Sequence, residues 1–205
     1  MSATAAPTRS DRSDFRTVTT GGALIGVATA VAVVAYLAVS RLVPIGGGLR
    51  GGLEALIVLA TGVTVAFVPA QWTGARGPEG IAGTAALGLV GTVVFSAIDI
   101  VVLRPFKAYP WTWDAIGGGS TWWYLPVWWM LGTFLAWMGG IVTAAGGAGV
   151  ELPLARRALP ALAATVIAVT VARLAGLPVA LPVATGGAFT IALVALALVT
   201  LARKR

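Results

Sequence analysis

One carboxylate stands where a carboxylate is costly. Asp99 falls inside an apolar run that extends from Ile81 to Leu103, and an acid surrounded by hydrocarbon is first a candidate for carrying protons or cations. It lies about one turn from the end of that run, with Arg104 and Lys107 close behind and Pro105 placed to end a helix. The same spacing therefore fits an intramembrane charge pair with Arg104 and Lys107. A relay needs several polar groups in series, and no second acid lines a deeper path, so the pairing reading is favoured. Glu54 opens another apolar run four residues after Arg50. That is the spacing of an i, i+4 ion pair, with the acid near a helix N-terminus, and it needs no functional role.

The chain has no cysteine and no histidine. It therefore has no thiolate nucleophile, no imidazole ligand for haem, copper or zinc, and no imidazole proton shuttle. A serine–histidine triad is impossible. An aspartyl dyad needs two carboxylates sharing one buried site, and only Asp99 stands deep enough. Gly117–Gly119 lacks the Lys that completes a phosphate-binding loop. The expectation is a non-enzyme with no metal and no cofactor.

Aromatic residues form the clearest local feature. Trp111, Trp113, Trp122, Trp123, Trp128, Trp129 and Trp137 crowd into one stretch, with Tyr109 and Tyr124 among them. An interfacial belt explains most of them, since indole places its ring in lipid and its N–H in water. Trp137 is harder to explain that way, falling about 20 Å below the outer edge at about 1.5 Å per residue. Trp129, Thr133 and Trp137 share one helix face at i, i+4, i+8. That face suits a neighbouring helix, a lipid or a flat hydrophobic ligand.

Small residues form a second pattern. Gly80, Thr84, Gly88, Thr92 and Ser96 recur at strict i+4 intervals, and Gly22, Gly26 and Ala30 repeat the motif in the first apolar run. Ala136, Gly140 and Ala144, and Ala164, Ala168 and Ala172, do so later. In lipid there is little hydrophobic drive between helices, so close backbone approach must supply association. These stripes predict helix packing within the bundle, except the first, which runs the length of its span and is expected to contact another subunit.

The elements that carry these residues follow from composition. The chain has 205 residues, is 58% hydrophobic and is only 10% charged, against about 25% in a soluble domain. A chain this short cannot bury that much apolar surface in one water-exposed globule. Six runs approach the about 20 residues that a spanning helix needs. They are Gly22–Val43, Leu53–Ala70, Ile81–Leu103, Trp123–Ala145, Ala158–Ala175 and Leu181–Ala202. The predicted fold is an all-α polytopic membrane bundle. Residues 1–20 form a polar cytoplasmic tail, residues 21–205 the six-helix domain, and 105–122 a tryptophan-rich outer loop.

The net charge of +7 sits in the tails and loops, which marks membrane orientation rather than nucleic-acid binding. With the N-terminus inside, the inner segments hold Arg9, Arg12, Arg16, Arg76, Arg156, Arg157, Arg203, Lys204 and Arg205. The outer segments hold Arg41, Arg50, Arg104, Lys107 and Arg173. The inner excess predicts both termini inside. The preference for Arg over Lys, with much Ala, Gly and Val, matches a GC-rich bacterial genome and so a bacterial inner membrane. The functional expectation is a non-catalytic accessory or scaffold subunit of a larger membrane complex, energy-converting in one version. The alternative is a small transporter or channel. The expected partners are membrane lipids and other integral subunits, with a lipid or flat hydrophobic ligand at the outer aromatic platform.

Overall fold

A computed structural model describes residues 13–44, 48–106, 108, 124–145 and 153–203. All regular structure among them is helical. The helices are α1 (Phe15–Leu42), α2 (Leu49–Thr73), α3 (Pro78–Ile98), α4 (Tyr124–Ala144), α5 (Leu154–Leu174) and α6 (Leu181–Arg203). A π-helical turn, Asp99–Leu103, continues α3. All six helices are long and apolar enough to cross a membrane, α3 being counted with its π turn.

The starts differ from the apolar runs because caps, and not hydropathy, set them. α1 begins inside the polar tail. The Asp14 carboxylate accepts from the Thr17 N–H at 3.1 Å and from the Thr17 hydroxyl at 2.7 Å, which satisfies donors that a first turn otherwise leaves open. Those bonds hold the Asp14 carboxyl below its usual value, the Thr17 hydroxyl contributing most. Thr19 and Thr20 return their hydroxyls to the carbonyls of Phe15 and Arg16. α5 begins at Leu154, after Pro153 in extended conformation at the cap. It then tolerates Pro160 in its interior, where the chain lacks the N–H that would reach the Arg156 carbonyl.

Glycine contacts fix the register. A Cβ on Gly22 would meet Val90 at 2.5 Å, and one on Gly26 would meet the Gly91 carbonyl at 2.6 Å, so α1 and α3 run parallel with their backbones close. On α3, a Cβ on Gly88 would meet Ala136 at 2.5 Å. A Cβ on Gly132 would run into Thr92, and one on Gly140 would meet Thr84 at 3.3 Å. α3 and α4 are therefore antiparallel. α2 and α6 run parallel, with Gly51 against Leu181 and Gly62 against Phe189. Odd-numbered helices run one way and even-numbered helices the other. One end of the bundle, here the terminal end, holds the start of α1 and the end of α6.

α2 is the hub and packs on every other helix. Phe67 of α2 is fully buried among Met138 and Ile141 of α4, Ala158 and Ala161 of α5, and Phe189 and Leu193 of α6. A second cluster joins Ile25, Val65 and Leu87 of α1, α2 and α3. Between α2 and α3 the hydroxyls of Thr73 and Thr84 meet at 2.8 Å. Thr84 also lies 2.7 Å from the Gly80 carbonyl and Thr73 3.0 Å from the Pro69 carbonyl. Two hydroxyl protons thus serve three contacts and leave no buried hydroxyl there without a partner.

Little of each helix is covered. In the most apolar stretch of α5 only 17% of residues are buried, and in α2 and α3 39%. The uncovered majority is aliphatic, as at Leu24, Val31, Ile167 and Ile191. Surface of that kind is stable against hydrocarbon and not against water.

Candidate functional site: an aromatic groove on the third and fourth helices

α4 places its tryptophans at helical spacing, and α3 gives them a neighbour. Trp128 turns edge-on to Phe95 of α3, with ring centroids 6.0 Å apart and planes at 76°, a favourable arrangement for two ring quadrupoles. Trp129 points its indole N–H at the Ser96 hydroxyl, 3.3 Å away, and Ser96 donates in turn to the Thr92 carbonyl at 2.7 Å. The ring is thereby fixed in place and its single polar group satisfied.

Beside these contacts the surface opens into a groove of about 590 Å³. It is lined by Trp129, Met130, Leu131, Thr133, Phe134 and Trp137 of α4 and by Leu89 of α3. Met130 is 71% exposed and Trp137 46%. Trp129 and Trp137 stand about 12 Å apart along the helix axis at 1.5 Å per residue. The lining contains no ionisable side chain and a single hydroxyl, that of Thr133. Such a surface offers dispersion, two indole faces and a polarizable thioether, and no proton in the titratable range.

The small-residue stripe of α3 meets α4 inside the bundle and not another subunit, as its length had suggested, because Gly132, Ala136 and Gly140 give it small counterparts within the chain. Gly80, Thr84, Gly88 and Ser96 are buried and Thr92 is half-buried, with Gly132, Ala136 and Gly140 opposite. Gly22 and Gly26 of α1 are buried against the other side of α3. On α5 the packed face carries Ala158, Ala161 and Thr165, whereas Ala164, Ala168 and Ala172 lie partly outward.

The ion pairs Arg50–Glu54 and Arg104–Asp99 lie at the end opposite the termini. Asp99 is 2% exposed and lies 3.3 Å from Arg104 Nε. The π turn accounts for that position, since the Arg104 N–H reaches back five residues to the Asp99 carbonyl at 2.9 Å. Arg41 of α1 donates to the Ala108 carbonyl. Glu54, which the sequence pairs only with Arg50, does more. It accepts from Arg50 Nε at 2.9 Å and from the Ser40 hydroxyl of α1 at 2.6 Å, and it is nearly buried. The sequence signal for that clasp is weak, because Ser40 is fourteen positions away on another helix.

Trp111, Trp113, Trp122, Trp123 and Lys107 lie outside the described residues, as does the tryptophan-rich loop apart from Pro105, Phe106 and Ala108. Among the described residues no three acidic side chains gather into a set that could hold a metal. No protein-family model, curated protein or solved structure matches the chain.

Proposed function

We propose that this chain is a non-catalytic accessory subunit of a larger membrane complex, in a bacterial inner membrane, with both termini inside. The observation that carries the reading is the open aromatic groove of α3 and α4. Tryptophan, methionine and phenylalanine are enriched at protein interfaces, and a fixed indole such as Trp129 presents its ring without ordering on contact. The groove lies on the flank of the bundle, where a neighbouring subunit's helix would lie. The glycine stripes of α1 and α3 are occupied within the fold, so the reading rests on the groove and not on them. The orientation rests on the excess of Lys and Arg at the terminal end.

Purification in mild detergent, followed by native gel electrophoresis and native mass spectrometry, tests this reading. The expected result is a stoichiometric larger assembly, lost on Met130→Trp or Trp137→Ala while the isolated chain stays folded. A lone monomer or small homo-oligomer removes the accessory reading and leaves transport. The observation favouring transport is the burial of Asp99 on a π turn, because π turns recur at functional sites. Asp99→Asn in a reconstituted flux assay tests it, and unchanged flux clears Asp99 of a coupling role.

A further inference from the structure

We infer that the terminal end of α5 and α6 binds the headgroup of an anionic phospholipid, whose acyl chains lie along the uncovered face of α5. Three observations carry this, and none depends on the accessory reading.

The first is charge that, among the described residues, has no acid on the same helices. α5 and α6 are antiparallel and packed together, so the start of α5 and the end of α6 share one corner. Arg156 and Arg203 are exposed there and Arg157 is half-buried. Lys204 and Arg205 follow Arg203 in the sequence. Two ion pairs among the described residues, Arg50–Glu54 and Arg104–Asp99, lie at the opposite end. The described acids of the terminal end, Asp14 and Glu79, belong to α1 and α3, whereas α5 packs chiefly on α6 and α2. A guanidinium fork matches two phosphate oxygens at once, which a lone ammonium does not.

The second observation is the apolar surface directly beneath. α5 is the least covered of the six helices, and Leu159, Val166, Ile167 and Val171 stand outward along it. Hydrocarbon chains fit this face, and the arginines at its end select the headgroup attached to them.

The third is length. From Arg157 to Arg173 α5 rises about 24 Å at 1.5 Å per residue, less than the about 30 Å of a hydrocarbon core. A short span draws the bilayer inward or makes its flanking cations reach outward. Either adjustment brings Arg156 and Arg157 to the level of lipid phosphates.

The test uses the full chain in phosphatidylcholine vesicles, with a trace of spin-labelled phosphatidylglycerol or, as reference, spin-labelled phosphatidylcholine. The motionally restricted fraction of each label gives the lipid preference. The wild-type chain is expected to hold phosphatidylglycerol preferentially, and R156Q/R157Q/R203Q to weaken that site by about fivefold for each charge lost. R156K/R157K/R203K, which keeps the charge, is expected to retain most of the preference, and R173Q, at the other end of the same helix, all of it. The inference is overturned if the glutamine variant keeps the wild-type preference, if the lysine variant loses as much as the glutamine one, or if R173Q has an equal effect. A stoichiometric protein that copurifies with the wild-type chain and is released by the glutamine variant would also overturn it, by placing a subunit at that corner instead.

Discussion

Gly139 lies so close to Ala66 that a Cβ built on it would run into the Ala66 carbonyl oxygen. Backbone cannot yield as a flexible side chain can, so Gly139→Ala is expected to cost about 3 kcal/mol or more, at the upper end for overpacking. Gly187 has nothing within 4 Å of where its Cβ would be, and Gly187→Ala is expected to add up to about 1 kcal/mol of stability by restricting the unfolded chain. Thermal unfolding of both variants in detergent checks the pair, and equal shifts would mean that α2 and α4 do not approach closely. At this scale the sequence was legible where periodicity alone decides. The i, i+4, i+8 spacing of Trp129, Thr133 and Trp137 puts them on one face, and all three line the groove. Leu89 was not legible, because its place depends on which helix lies alongside α4. For the same reason the stripe from Gly80 to Ser96 announced a packing face without naming Gly132 and Ala136 as its counterparts.

Helices are held in pairs by a few polar contacts amid many apolar ones, and the Ser40–Glu54–Arg50 clasp joins α1 to α2. Glu54→Leu removes the acceptor and leaves Arg50 without its counterion. The Arg50 side chain is 29% exposed and so regains part of its solvation. The expected loss is about 1–3 kcal/mol, below that for a fully buried pair. The double replacement Arg50→Met with Glu54→Leu is expected to recover most of it, since no charge then lacks a partner. Unfolding midpoints of the two variants measure the difference, and an unchanged single variant would show that the clasp contributes nothing. The six apolar runs of the sequence correspond to the six helices because hydropathy sums over many residues. The start of α1 at Phe15 did not follow from hydropathy, since a carboxylate cap and back-bonded threonines extend a helix through residues that read as polar. Glu54 shows a further limit: the i, i+4 pair is local and readable, whereas its bond to Ser40 exists only once α1 and α2 are antiparallel neighbours.

For the whole molecule, the groove, the arginine corner and the clustered ion pairs all depend on helices that alternate in direction, and the proposed membrane placement sets that alternation across a bilayer. The chain suits a direct test of that alternation, because it contains no cysteine and any single cysteine introduced is the sole target for a thiol reagent. Leu49 and Leu177 lie at the end opposite the termini, and Glu79 and Ala155 at the terminal end; all four are exposed. Single replacements Leu49→Cys, Leu177→Cys, Glu79→Cys and Ala155→Cys, treated with a membrane-impermeant maleimide in intact cells and again after permeabilisation, sort the four positions by side. The predicted result is that the first two react in intact cells and the last two only once the membrane is opened. Reaction of Leu49→Cys and Glu79→Cys from the same side would contradict the six-crossing bundle.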